Sequence, residues 1–549
     1  MKKHLFYLFI ASFFCLANKE LYGQELLDKK MSIQIYKQPL SQALRALARE
    51  GDFYFSYNSR IIPKDSLVTL KSTDKTLKNI LIHLLGIRYI YKQQGNYVII
   101  QQYKGNEETY FISGHVINAK DGKGIPNVSV YAKKQLVTVL TDSEGYFKLK
   151  LHDYSAYILL GASKVNYSTR TITLNSGKKL YLKVQLSPIQ KVTLNPVTVY
   201  SYKNWISKLL LSSKQKIRDI NLSDFFVNQK FQFSVWPTVG SHGKMSGQIK
   251  NNWTFNILGG YSAGVKWFEL GGLFNIDKKD VGTFQMAGIF NAVEGKATGF
   301  QGAGIYNVVG DSLTGFQIAG IYNKVDGAVS GVQMAGILNK TKDVRGWQFA
   351  GAINLNKDTI TGLQMAGIFN KTKVLKGWQV GLINISDTSN GYSLGLVNMV
   401  KKNSFYKLDL SYNETMEGNI AFKSGSPKLY NIISLNIGNL KDHPYWGFGY
   451  GLGHLFNYDR KVTYSLELAG QFIVGGFKYD TPVLSNIRSS IHIPLSHKIG
   501  LYAGPSFNVL FQGSALPKYS NMRLRPKHYF TLSDNIFSWF GFQVGISFF

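Results

Sequence analysis
Seven near-copies of one short segment constrain this chain more than any other feature. GTFQMAGIFN, TGFQGAGIYN, TGFQIAGIYN, SGVQMAGILN, RGWQFAGAIN, TGLQMAGIFN and KGWQVGLIN succeed one another between residues 256 and 400. Their glutamines are Gln285, Gln301, Gln317, Gln333, Gln348, Gln364 and Gln379, at steps of 15 or 16 residues, and Asn291, Asn307, Asn323, Asn339, Asn354, Asn370 and Asn384 close the units. Degenerate copies, WFELGGLFN and GYSLGLVN, flank the run. A fixed short period means a stack or array of identical β units. Seven repeated Gln and Asn are structural rather than ligands.

Strict alternation assigns faces within a unit. In GFQIAGIYN one side carries Phe316, Ile318, Gly320 and Tyr322; the other carries Gln317, Ala319, Ile321 and Asn323. An apolar face with aromatics at both ends suits one tilted strand of a transmembrane barrel. The alternative is a β-solenoid, one coil per unit, with Gln and Asn columns stacked as ladders. The even spacing favours the solenoid, because barrel loops alternate short and long; the apolar face favours the barrel, which is the leading expectation. The repeat resembles bacterial surface-repeat proteins with G-x-Q-x-G-x-x-N units, a likeness that implies little about activity.

Composition agrees with a β-rich chain: 17% charged residues against 14% aromatics and 54 glycines in 549 residues. The N-terminus reads as a secretory signal over residues 1–23, with Lys2 and Lys3 ahead of an apolar run from Leu5 to Ala17. Cys15, the only cysteine, lies inside it, so no disulfide or cysteine-based metal site is expected in the exported chain. No later stretch reaches the ~18 apolar residues of a spanning helix. Net charge is +31, but the cations are scattered and form no nucleic-acid motif, so no nucleic acid is expected as partner.

Two small modules precede the repeat. From Met31, periodicity reads β-α-β-β-α-β-β, with Leu40, Ala43, Leu44, Leu47 and Ala48 on one helix face and Leu77, Ile80, Leu81, Leu84 and Leu85 on the other helix. PLSQALRALAREGDFYFSY and TLKNILIHLLGIRYIYKQQGNYVII carry a resemblance, over residues 24–105, to the secretin and TonB short N-terminal domain. Membership would imply a periplasmic protein-contact module, whose partner in signalling transporters is an anti-sigma-type regulator. Over 110–188, FISGHVINA, VSVYAKK and YFKLKL alternate as strands. Gly114-x-Val116, Gly124-Ile125-Pro126-Asn127-Val128 and Thr141-Asp142-x-x-Gly145-Tyr146-Phe147 resemble the carboxypeptidase-regulatory-like domain, a transthyretin-like sandwich. Asp142 and Glu144 are read as turn residues rather than calcium ligands. LNPVTVYS at 194–201 stands where related transporters carry a TonB-contacting segment. Only 348 residues follow Ser201, too few for a plug and a 22-strand barrel. Residues 189–228 read as linker, with a short amphipathic helix within 204–220.

Beyond residue 401 the strands lengthen: 428–438, 445–456, 462–475, 484–493, 498–511 and 537–549. In the last, Phe540, Phe542, Val544, Ile546 and Phe548 alternate with Gly541, Gln543, Gly545 and Ser547. This resembles the terminal strand recognised by the barrel-assembly machinery, except that Phe549 is one register off. Residues 229–549 are therefore expected to form an outer-membrane barrel with a periplasmic C-terminus, and the loop 512–536 falls outside the cell. Its Lys518, Arg523, Arg525 and Lys527 suit lipopolysaccharide phosphates or another anion, with a plain solvated loop as the simpler account.

No catalytic motif, cofactor site or zinc-ligand spacing is visible among the histidines or elsewhere, and no enzyme is expected. The expected function is an outer-membrane surface protein whose periplasmic modules engage an envelope partner. A porin-like passive channel and a surface adhesion or structural repeat protein are the alternatives.

Overall fold
The computed structural model describes residues 26–548, apart from 104–108, 153–155, 176–179, 190–208, 403, 439–443, 459–460, 476, 479, 514–515 and 518–523. The chain divides into two units, residues 1–199 with 212–225, and 200–211 with 226–549. The signal segment and LNPVTVYS lie outside the described residues.

In the first unit the element order matches the sequence reading. Lys30–Pro39, helix Leu40–Gly51, Tyr54–Tyr57, Leu67–Thr76, helix Leu77–Leu85, Tyr89–Gln94 and Tyr97–Gln102 follow in turn. The apolar faces of both helices meet the strands in one core around Leu44, Leu47, Leu77, Ile80 and Val98. Thr76 caps the second helix by accepting from the Asn79 amide, and Gly86 ends it at φ 86°. A sandwich follows. One sheet orders Arg170–Asn175, Tyr157–Ser163, Ser129–Ala132 and Val137–Leu140; the other orders Leu180–Leu186, Thr109–Asn118 and Tyr146–His152. Their alternating inward residues, among them Ile112, Val116, Val130, Phe147, Leu149 and Leu160, make a second core. Asp142 caps its turn by accepting from the Glu144 and Tyr146 amides, with Gly145 at φ 78°, as expected. Within the expected linker, the helix Ser213–Asn221 docks on this sandwich. Asn221 donates to the Asn127 carbonyl at 2.8 Å and its own carbonyl takes the Ser163 hydroxyl at 2.8 Å.

In the second unit the repeat is a β-solenoid, and the barrel expected over 256–400 is corrected. Each strand pairs in parallel with the strand two further along the chain, as Leu313–Ala319 does with Ala328–Ala335 and Tyr322–Val325 with Leu338–Thr341. One unit holds two strands, the second only four residues long, far short of the 9–11 needed to cross a bilayer. The face assignment fails at one point. Gln317, Ala319 and Asn323 do point inward, but Ile321 is 44% exposed. Gly320 and Ile321 form a corner between the two strands, so alternation stops there and restarts. A Cβ on Gly320 would lie 2.1 Å from the Gly304 carbonyl of the coil before; only glycine stacks this closely.

The barrel begins at Phe405. Phe405–Asn413, Gly418–Ser426, Leu429–Gly438, Tyr445–Phe456, Thr463–Val474, Val483–Pro494, Ile499–Phe511 and Ile536–Phe548 pair antiparallel in sequence order. The last strand closes on the first, Leu410 opposite Ile546, giving eight strands. The six strands read from the sequence are all present; the first two of the eight were not recognised.

Candidate functional site
The barrel is apolar outside and charged inside. Phe405–Asn413 sets the pattern: Tyr406, Leu408, Leu410 and Tyr412 face out, while Lys407 and Asp409 are buried in the lumen. On neighbouring strands Phe422, Leu466, Leu468 and Ile487 face out beside buried Lys423 and Glu467. The Lys423 ammonium lies between two carboxylates, 2.7 Å from Asp409 and in contact with Glu467, which also accepts from the Tyr430 hydroxyl at 2.8 Å. Buried charges persist only when paired in this way. Next to this cluster the Ser465 hydroxyl meets His492 Nε2 at 2.7 Å, and Gln543 donates to Ser490 at 2.8 Å.

The two ends of the lumen differ. Toward the 511–536 loop, Met416, Tyr445, Ile473, Leu484, Leu510 and Trp539 fill it with an apolar layer. Glu414 there takes the Trp539 indole N–H at 2.8 Å and Asn508 at 3.0 Å. Toward the end at which the solenoid joins, a cavity of about 610 Å³ opens beside Phe405, Lys407, Lys428, Tyr458, Lys461 and His492. Among the described residues, the charged side chains that line it are Lys407, Lys428 and Lys461.

The solenoid interior is polar and paired. Each ladder Gln donates to the Gln of the coil before at 2.6–2.8 Å, from Gln301 to Gln379. Each Asn donates to the Asn of the next coil at 2.8–3.0 Å, from Asn275 to Asn398. At the head of the Gln column the amide of Gln285 meets two buried carboxylates, Glu269 at 2.8 Å and Asp277 at 2.7 Å. Burial pushes both carboxyls up, Asp277 to about 6 and Glu269 well above the usual range. These ladders are scaffold; among the described residues no cluster of three or more His, Cys, Asp or Glu is placed to hold a metal ion.

Of the four loop cations singled out in the sequence, Lys518 and Arg523 lie outside the described residues. Arg525 stacks its guanidinium between Tyr529 and Phe537, 4.3 and 3.9 Å from the ring centres, and Lys527 is exposed. The luminal set of Lys407, Asp409, Lys423 and Glu467 was not singled out. Its signal was present: isolated charges at one parity of strands, flanked at the other parity by Tyr406, Leu408 and Leu410, by Ile420 and Phe422, and by Leu466 and Leu468.

No curated protein matches the chain. A family model for the CarboxypepD_reg-like domain matches residues 112–199, covering nearly all of the sandwich, and that segment is a carboxypeptidase-regulatory-like domain.

Proposed function
We propose that this is an exported outer-membrane protein in which the eight-strand barrel is a closed membrane anchor and the N-terminal modules work in the periplasm. The observation that carries this is the inversion of the barrel, with a charged, paired lumen and an outer wall of Leu, Ile, Val and aromatics. Water would select the opposite arrangement; a bilayer selects this one. Aromatic residues fall toward both ends of the wall, Phe456 opposite Tyr464 at one end, Trp446, Phe448 and Phe472 toward the other. Strands of 9–13 residues have the required length.

The filled lumen supports an anchor over a porin-like channel, since eight strands enclose little more than their own side chains. In this reading residues 1–23 are the export signal, the barrel-assembly machinery receives the terminal strand, and the C-terminus is periplasmic. The module at 24–105 is then a protein-contact domain like the secretin and TonB short N-terminal domain, with an anti-sigma-type regulator as the partner class. Its element order supports that likeness. No catalysis is proposed. Lys527 on the outer loop is available to lipopolysaccharide phosphates.

The test is fractionation of cells expressing the full chain. Outer-membrane recovery, resistance to carbonate and a heat-dependent gel shift are expected. Recovery in the soluble periplasm would refute the anchor.

A further inference from the structure
From residue 284 onward, each solenoid coil has one charged end and one uncharged end. The stretches 284–290, 300–306, 316–322, 332–338, 347–353, 363–369, 378–383 and 392–397 hold no Asp, Glu, Lys or Arg. The charges lie at the opposite turn and on the strand ends beside it, among them Lys342, Asp343, Lys357, Asp358, Lys373 and Asp387. At the uncharged end the corners form an outward aliphatic column. Ile305, Ile321, Ile337, Ile368, Leu382 and Leu396 are 41–54% exposed, and Phe316, Trp347 and Trp378 flank it. A solenoid bathed in water gains nothing from such a column beside a buried polar interior.

The end of the column says what covers it. The last coil lies against the outside of the barrel wall. Ser424 and Asn431 pair across two strands at the parity of outward-facing Phe422, yet both are buried. Asn398 continues the Asn ladder onto Asn431 at 3.1 Å, and Asn431 donates to the Leu396 carbonyl. The Gly395 carbonyl, at the uncharged corner, accepts from the hydroxyl of Tyr450, which sits midway along Tyr445–Phe456. The charged side of the same coil is level with the barrel's end, where Lys428 reaches the Asn390 carbonyl at 3.2 Å. The corners therefore run out from the middle of the apolar wall, and the charged turns from its rim.

We infer that the solenoid is a lateral wing of the barrel whose Gly-Ile corners insert among lipid acyl chains, in the leaflet on the side of the C-terminus. This rests on the membrane reading proposed above. Lipid tolerates only backbone whose polar groups are satisfied internally. The corners meet that condition: the Ile305, Ile321 and Ile337 amides donate to the corner carbonyls of the preceding coils at 2.9–3.1 Å. Inside, the Gln and Asn of successive coils pair with one another without water, and the column leaves the Gln379 oxygen unpaired only at its end.

The experiment uses the full chain with Cys15→Ser and single cysteines at Ile321, Ile337, Lys342 or Leu468, each labelled with bimane. Each variant is reconstituted in phosphatidylcholine–phosphatidylglycerol vesicles with or without brominated acyl chains, folding being checked by the heat-dependent gel shift. Leu468, 58% exposed on the barrel wall, reports the bilayer itself. Brominated lipid should quench bimane at Ile321→Cys and Ile337→Cys to within about twofold of Leu468→Cys, while Lys342→Cys responds only to aqueous iodide. Quenching at Leu468→Cys without quenching at either corner would overturn the wing and leave the barrel in the membrane. Loss of quenching at all three would remove the membrane reading itself. Corner cysteines that resist both quenchers and cross-link chain to chain would mean a second copy covers the column, and the inference fails.

Discussion

Interrupting the glutamine ladder in its middle and at its end should have very different consequences. Gln317 donates to Gln301 at 2.6 Å and accepts from Gln333 at 2.8 Å, all three side chains being buried. Gln317→Leu removes both bonds and leaves the Gln301 oxygen without a donor and the Gln333 amide without that acceptor. Each stranded buried group costs about 1–3 kcal/mol, so about 2–6 kcal/mol together. Leucine recovers about 1–2 kcal/mol of apolar burial, leaving a destabilisation of about 0–5 kcal/mol, centred near 2–3 kcal/mol. Gln379 closes the column: it donates to Gln364 at 2.8 Å, but its own oxygen is buried without a partner. Gln379→Leu strands one group and removes another already stranded, so its net polar cost is within about 1 kcal/mol of zero. Pulse proteolysis of the folded full chain across a urea series, with cuts mapped to 256–400, gives both midpoints. Equal shifts for the two substitutions, or a larger one for Gln379→Leu, would refute the view that column continuity stabilises the coils.

Three further outcomes follow from the same geometry. Lys423→Met leaves Asp409 and Glu467 buried without their shared cation, which should cost about 3–5 kcal/mol and abolish the heat-shifted folded band after refolding. Because Glu269 and Asp277 have raised folded-state values, the native state holds protons that the unfolded chain releases. Their contribution is complete below about pH 4 and is lost as pH rises through about 6 and beyond, so the solenoid midpoint should fall over that range and Glu269→Gln should flatten the slope. A fragment of residues 24–188 should be soluble and folded by circular dichroism. Extending it to 225 should raise its melting temperature, because the extension brings in the helix Ser213–Asn221 and the Asn221 bonds to the sandwich.

Local signals were legible and shared ones were not. The helices at 40–51 and 77–85 have one apolar face each and glycine stops, so sequence alone bounds them within a residue or two. The Asp142 turn and the terminal barrel strand were equally plain, because a cap or a period-two pattern involves only neighbours in sequence. The repeat misled because Phe316, Ile318 and Tyr322 do carry an apolar outer surface. What alternation cannot register is a corner: Gly320-Ile321 turns the chain without a charge, a proline or any other polar punctuation. The luminal cluster was missed for a related reason, since Asp409, Lys423 and Glu467 lie far apart in sequence and meet only when the barrel closes.

That shared difficulty identifies a common selection on both halves of the second unit. In the barrel, Leu468 faces out beside inward Glu467; in the solenoid, Ile318 faces out beside inward Gln317. The pattern is the same, but the interiors differ in what must pair. A barrel lumen accepts isolated charges only because Asp409, Lys423 and Glu467 come together from three strands that close around them. A solenoid stacks identical positions, so any charge would face its own copy about 5 Å away, and like charges at that spacing repel. Gln and Asn avoid this because each carries both a donor and an acceptor and can pair with itself indefinitely. The one inward carboxylate of the column, Glu269, stands at its head, where no like residue precedes it and Gln285 follows. The position of that exception is what the pairing rule requires: a charge can replace the amide only where the ladder begins.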